Sequence, residues 1–404
     1  MEGHEVEYRP VSVKEVLAEM KDTAELLIDL SYSAVLFGSD AVAEEVLALE
    51  ERMDVLQLQA RMSLLMAART TSDAEQLAPV LGIVGAAEKI SDASGDIAKV
   101  VLEEMGLPDA LRATLPEAVE TVVRATVDDG SRFATRSLGD INLETETGVR
   151  VIAVRRSGEW LLNPDLETVL EPDDVVLLRG SEENVGAVYE TVSGTPYEVP
   201  EVAEPDVEDL ERAVDAIVLM KNMSELAVDL AYGAVLYDST DLAEEVAALE
   251  AEVDALQSRF EAWTLRAAGR VDDPIDLRGL VRLANSTEVI SDAALEISEG
   301  VLRGLGTHPV VAEAVLESDE VVVRLTVAEG STLDGATLGE QMVRTETSMR
   351  VIAVRRPRGS PGAFDDEWEI QPGPDTELHA GDVVLAKGTR AGAERLEALV
   401  GGEG

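Results

Sequence analysis

From about residue 11 to 105 apolar side chains recur at three- and four-residue steps, the spacing of one face of a helix. Val13, Val16, Leu17, Met20, Ala24, Leu27 and Leu30 place the first helix at about Val11–Phe37. Gly38-Ser39-Asp40 ends it and caps a second helix, Ala41–Ala68. Thr70-Thr71-Ser72-Asp73 breaks the pattern again, and a third helix runs to Met105. Helices of roughly 28 residues are about 42 Å long, and short connections fold them into an antiparallel three-helix bundle. From residue 117 the pattern turns to short β-branched runs. Val119–Val127, Val149–Arg155, Trp160–Leu162 and Val175–Arg179 read as strands, with turns at Asp129-Gly130-Ser131, Asn163-Pro164-Asp165 and Pro172-Asp173. Glu182–Tyr189 returns to helix, which completes a small α+β domain.

The whole pattern then repeats 200 residues on. Arg150-Val-Ile-Ala-Val-Arg-Arg156 recurs as Arg350-Val-Ile-Ala-Val-Arg-Arg356, Glu44-Glu45-Val46 as Glu244-Glu245-Val246, and Ile90-Ser91-Asp92-Ala93 as Ile290-Ser291-Asp292-Ala293. So long a period exceeds any solenoid repeat and marks a duplicated domain-sized unit. Four domains are expected, at 8–110, 115–193, 205–310 and 317–401, with 193–206 as the linker between units and an insertion at 357–363 lengthening one hairpin of the second copy. The chain then carries a dimer's worth of structure: an intramolecular pseudo-dimer with paired bundles and paired small domains, itself open to homo-oligomerisation.

Composition changes this picture in one respect. The formal net charge is −48 with 46% apolar residues, and only six of the 33 basic residues are Lys. The acid is spread along a clearly periodic chain, so it belongs to a carboxylated globular surface rather than a disordered tail. That is the composition of a salt-rich cytosol, as in a haloarchaeon, where a Debye length of about 3 Å at 1 M screens the self-repulsion. It also argues against nucleic acid as a partner. The absence of cysteine excludes disulfides and thiolate chemistry. The first ten residues have no signal-peptide pattern, and no apolar run reaches the roughly 20 residues of a membrane span. These readings predict a cytoplasmic protein, peripheral at the inner face of the membrane if a transporter partner holds it there.

The helical parts carry acids four residues apart on one helix: Glu50 with Asp54, Glu88 with Asp92, Glu250 with Asp254 and Glu288 with Asp292. Like charges at that spacing repel by a few tenths of a kcal/mol. Two facing helices with two carboxylates each form an all-oxygen site for a hard divalent cation; a solvated acidic face gives the same spacing. Arg282-Leu-Ala-Asn-Ser-Thr-Glu-Val-Ile-Ser-Asp292, and more loosely Gly85–Asp92, resemble the motif helix of the PhoU family. That resemblance implies a metal-binding role for all eight acids.

The α+β parts resemble the C-terminal RCK domain, TrkA-C. The resemblance lies in the ordered set Gly130-Ser131, Leu138-Gly139, Val149–Arg155, Pro164-Asp165 and Asp173-Asp174-Val175-Val176-Leu177, and in its second copy Gly330-Ser331, Leu338-Gly339, Val351–Arg355, Pro372, Asp375 and Gly381–Val384. It implies regulation of potassium transport, pairing of the domains and, in some members, binding of cyclic di-AMP. No Gly-x-Gly-x-x-Gly follows a strand, so no NAD or ATP site is expected. Arg150, Arg156, Arg350 and Arg356 are the candidate ligand-binding cations, since a guanidinium takes phosphate oxygens in pairs. Strand alternation puts Arg150 and Arg156 on one face; pairing with nearby acids such as Glu144, Glu146 and Asp174 is the competing role.

The fold expected is α+β multidomain, PhoU-like three-helix bundles alternating with TrkA-C-like domains. The function expected is regulation of a membrane cation transport system, most directly potassium, through docking on a transporter or channel subunit. The alternative is a PhoU-type regulator of phosphate transport. No catalytic constellation appears: His4, His308 and His379 are scattered, while Trp160, Trp368, Tyr32 and Tyr232 read as packing.

Overall fold

Three helices open each unit, and their ends fall where the capping residues stand. In the computed structural model α1 spans Val13–Phe37, α2 Asp40–Ala67 and α3 Thr71–Leu102. Gly38 takes a left-handed φ of 56° between α1 and α2, and the Ser39 side chain accepts from the Val42 N–H to start α2. The description covers residues 13–68, 70–107, 121–143, 147–157, 159–162, 164–180, 182–197, 207–271, 273–303, 320–356, 368–370 and 372–401. Residues 198–206 of the expected linker, the hairpin insertion at 357–363, and Glu144 and Glu146 lie outside it.

The first small domain contains β1 (Thr121–Thr126), β2 (Arg136–Ser137), a helical turn α4 (Leu138–Ile141), β3 (Arg150–Arg156), β4 (Glu159–Leu162), β5 (Val169–Leu170), β6 (Val175–Gly180) and α5 (Glu182–Ser193). The second bundle has α6 (Glu208–Tyr237), α7 (Thr240–Ala267) and α8 (Arg278–Leu302). Here Asp273-Pro274 opens a separate 3-10 turn before α8, with the Asp273 side chain accepting from the Ile275 N–H. The second small domain follows with β7 (Glu320–Thr326), β8 (Ala336–Thr337), α9 (Val343–Thr347), β9 (Met349–Arg355), β10 (Trp368–Ile370), β11 (Glu377–Leu378), β12 (Val383–Thr389) and α10 (Arg390–Val400).

Each small domain is an antiparallel four-stranded sheet, ordered β1-β6-β3-β4 and β7-β12-β9-β10. Both faces are covered. Val122, Ala153 and Leu177, and Ile352, Ala353, Val383 and Leu385 opposite, join the apolar core of the bundles. Val151, Val154 and Val176 face the other way, onto Val185, Val188 and Val192 of α5. Two-sided burial explains the unbroken apolar run Val175–Leu178. The two sheets share no strand pairing among the described residues, so the expected pairing of small domains is not made through the sheets.

The bundles do pair. Helices α3 and α8 pack antiparallel: Lys89 Nζ meets Glu296 at 2.8 Å, Arg282 meets Asp96 at 2.8 Å, and the Gly279 N–H donates to Gly106 O at 3.0 Å. Gly300 lies against Pro79, where an added Cβ would come within 3.2 Å of the ring.

Strict alternation fails on β3 and β9. Both carry a bulge that skips Ile152 or Ile352 in the pairing with β6 or β12. Val151 and Val154 consequently enter the same core, where alternation would oppose them. The face expected to carry both Arg150 and Arg156 does not form.

Candidate functional site

The eight acids form two unequal sets. In the second bundle, carboxylate oxygens of Glu250, Asp254 and Asp292 all lie within 4.8 Å of one another. Burial and then the neighbouring acids raise the carboxyl groups of Glu250, Glu288 and Asp292 above the usual range. Carboxylates held that close to each other form a donor set for a hard divalent cation, and only oxygen is offered.

In the first bundle the same positions are partly neutralised by the chain itself. Lys99 Nζ lies 3.7 Å from Glu50 and 3.5 Å from Asp96, and Arg61 reaches Glu88 at 3.3 Å. The residues 200 positions later, Glu299 and Glu261, are acidic. Gly95 leaves room that the Glu50 carboxylate fills, so any Cβ there would overlap it; the counterpart is Leu295. Burial still raises Glu50 and Asp92, with Lys99 opposing the shift in both. Among the described residues, the second set combines crowding with no lysine or arginine of its own bundle seen against it; Lys89 of the first bundle approaches Asp292 from across the interface.

The four candidate arginines also divide. Arg156 makes a two-point pair with buried Asp174, at 2.8 and 2.6 Å, and donates to Val169 O. Arg356, itself only 3% exposed, does the same with Asp382 at 2.8 and 2.6 Å and with Glu377 O. Both guanidinium groups are engaged in holding the β-turn ahead of β6 or β12 to β3 or β9, the competing role already named for Asp174. Arg150 is exposed on β3. Arg350 instead lines a cavity of about 510 Å³ together with Leu338, Met342, Arg344, Met349 and Pro372. Arg344 lies on α9, a five-residue helix with no periodic signal in the sequence.

A further pair of arginines fastens each small domain to its bundle. Glu45, buried at the start of α2, accepts from Arg124 at 3.0 Å and from Arg155. Glu245 accepts from Arg324 at 2.9 Å and Arg355 at 2.8 Å. Arg155 and Arg355 stack on Trp160 and Trp368, with centroid distances of 5.8 and 5.6 Å. The repeated tryptophans thus pack the clamps.

The TrkA-C domain model matches residues 122–193 and 322–401, and the PhoU domain model 17–101 and 217–301. The chain therefore contains a PhoU-like and a TrkA-C-like domain, each duplicated in tandem. Both are non-catalytic regulatory modules, and the chain is a multidomain regulatory protein built from them.

Among curated proteins, Probable potassium channel protein 2 of Methanocaldococcus jannaschii is 37% identical over 59 residues, which is 15% of this chain and 17% of that protein. PhoU from Pseudomonas aeruginosa is 14% identical over 72% of this chain and 96% of its own, with a TM-score of 0.39. The RCK_C domain dimer of S. agalactiae BusR, solved with c-di-AMP, is 20% identical over 18% of this chain and 90% of its own, with a TM-score of 0.17. BusR is also solved with its busAB-promotor DNA, at 11% identity over 45% of this chain and 97% of its own, with a TM-score of 0.17. The exclusion of nucleic acid drawn from net charge is corrected by that last finding: a protein similar to this chain is seen on DNA. Net charge describes the average surface, and a ligand meets a local one. No helix among the described residues is long and apolar enough to cross a membrane.

Proposed function

We propose that this chain regulates a membrane cation transport system, with potassium as the ion, in response to a small anionic ligand held by the second small domain. The observation that carries the reading is the cavity of about 510 Å³, which sets Arg344 and Arg350 among Leu338, Met342 and Met349. Two cations over an apolar wall suit a ligand with phosphate groups and a flat apolar part. Cyclic di-AMP has that chemistry and is the ligand in the BusR structure. The potassium assignment is supported by the relative described as a probable potassium channel protein.

A hard divalent cation on Glu250, Asp254, Glu288 and Asp292 is the second input. It would remove the mutual repulsion of these carboxylates and tie α7 to α8. The acidic surface suits a salt-rich cytoplasm, which predicts that the chain is more stable at 2 M than at 0.1 M potassium chloride.

Calorimetric titration in high-salt buffer tests the ligand. Wild-type chain is expected to bind cyclic di-AMP, and Arg350→Ala and Arg344→Ala to lose at least tenfold in affinity, the cost of about 1.4 kcal/mol per charge-assisted contact. Binding unchanged in both variants sinks the cavity reading. A phosphate-signalling role is favoured by the PhoU-like bundles. Potassium and phosphate uptake in cells with and without the gene separates the two: a change confined to phosphate overturns the potassium assignment.

A further inference from the structure

The acid-rich chain has six lysines, and three of them, Lys21, Lys221 and Lys387, gather around the contact between α1 and α6. Two clusters lie there, related by the internal repeat. In one, Lys21 Nζ meets Glu25 at 2.6 Å on α1, Glu25 faces Asp229 of α6, and Lys387 Nζ of β12 lies 3.3 Å from Asp229. In the other, buried Lys221 Nζ meets Glu225 at 2.6 Å on α6, Asp29 of α1 faces Glu225, and Arg179 of β6 meets Asp29 at 2.8 Å. Each cluster balances two cations against two carboxylates, with Asp22 at the rim of the first, 3.8 Å from Lys21. Each takes one cation from a small domain and the rest from both bundles. Burial pushes the Glu25 carboxyl up, but Lys387 and Lys21 outweigh it and hold it below the usual carboxylate range, while burial raises the facing Asp229.

The strands that deliver Lys387 and Arg179 are hydrogen-bonded to the strands of the candidate arginines. Lys387 stands opposite Arg350 and Gly388 opposite Met349, both cavity residues; Arg179 stands opposite Arg150. At Gly388 the two strands approach so closely that any Cβ would overlap Ser348 O and sit 2.7 Å from Met349 Sδ. A displacement of β9 therefore moves β12 with it rather than being absorbed between them.

We infer that Lys387 and Arg179 are transmission points, by which the state of each small domain sets the packing of the two bundles on one another. Moving either cation by an ångström or two leaves a shielded carboxylate pair under-compensated at the α1–α6 contact. The arrangement of the bundles that restores the balance is then favoured. The ligand arm of this inference rests on the cavity reading above; the charge coupling does not.

The chain has no cysteine, so spin labels on Leu65→Cys and Leu265→Cys, 72% and 77% exposed near the ends of α2 and α7, report bundle spacing in the full chain. Without ligand, Lys387→Gln and Arg179→Gln are each expected to broaden the distance distribution or add a second population of roughly a tenth. The charge-balanced Lys387→Gln/Asp229→Asn is expected to return it to the wild-type width, and the exposed Arg303→Gln to leave it unchanged. Wild-type distributions in both single variants overturn the coupling. A single variant that unfolds while the balanced double folds supports it, and a double no better than the single overturns it. With saturating cyclic di-AMP, the wild-type distribution is expected to shift, and the balanced double to bind equally well without shifting. Binding with the shift intact in the double overturns the relay and leaves the cavity reading standing. No binding by wild type overturns the cavity reading alone, and the ligand-free comparison still decides the relay.

Discussion

The two halves of this chain share a fold and differ in how they deal with charge. In the first bundle Lys99 and Arg61 sit on the carboxylates of α2 and α3; in the second the same positions are Glu299 and Glu261, and the acids crowd one another. In the first small domain Arg156 is 41% exposed beside Asp174, while in the second Arg356 is 3% exposed beside Asp382. Tyr32 shares a 2.6 Å hydrogen bond with Thr287, yet the Tyr232 hydroxyl is buried with no hydrogen-bond partner among the described residues, and the counterpart of Thr287 is Ala87. Duplication within one chain lets each position change on one side of a pseudo-dyad only, which a homodimer cannot do. One half offsets part of its acids' charge with its own Lys99 and Arg61, while the other leaves its acids crowded against one another.

The largest effect that would break this comparison lies in the arginine pairs. Asp382→Ala strips a buried guanidinium of its partner and is expected to cost about 3–5 kcal/mol. Asp174→Ala leaves Arg156 able to reach water and is expected to cost less than half of that. Denaturant unfolding of the two variants checks the ranking, and equal losses would mean the exposure difference has no energetic meaning.

Divalent cations come next. Magnesium or manganese at a hundred times its dissociation constant is expected to add about 2.7 kcal/mol. That gain should vanish in Glu288→Gln/Asp292→Asn and persist in Glu88→Gln/Asp92→Asn. Thermal unfolding with and without metal reads it, and the reverse pattern would transfer the site to the first bundle. The pH dependence has a definite sign. Glu250, Glu288 and Asp292 have folded-state carboxyl groups raised above their unfolded values. The metal-free protein therefore loses stability as pH rises through the window between the two. A bound cation relieves that loss, so its stabilising effect should be greater at pH 8 than at pH 5.

A smaller contrast is expected at the tyrosines. Tyr32→Phe removes a made hydrogen bond and should cost about 1 kcal/mol, whereas Tyr232→Phe removes an unsatisfied hydroxyl and should be neutral or stabilising. Smallest of all, Arg303→Ala at an exposed i,i+4 pair with Glu299 is expected within about 0.5 kcal/mol of wild type; a larger loss would show that surface pairs matter more here than elsewhere.

Much of the fold was legible because its signals are local. Helical periodicity with Gly38 and Ser39 at the break located α1 and α2 to within about two residues. The four main strands of the first sheet likewise fall where the β-branched runs stand. The short pairs β2–β5 and β8–β11 were invisible, since two residues carry no period. The bulges at Ile152 and Ile352 were invisible for another reason: a bulge is a property of two strands together, and alternation along one of them cannot reveal it. Among the site residues, i,i+4 spacing identified the acids, but the cations that neutralise one set lie a helix away, and Arg344 offered no pattern at all.

The sequence by itself determined the duplicated two-domain unit, the element order, the absence of thiol chemistry and the pool of acids and arginines from which sites can be built. These depend on composition and on contacts within one helix or strand. Which acids crowd, which arginines are sealed against aspartates and which lysines bridge the units was decided by tertiary packing. Those outcomes depend on distances between segments from 18 to 207 residues apart, and a charge's energy depends on what lies within a few ångströms and how much water remains there.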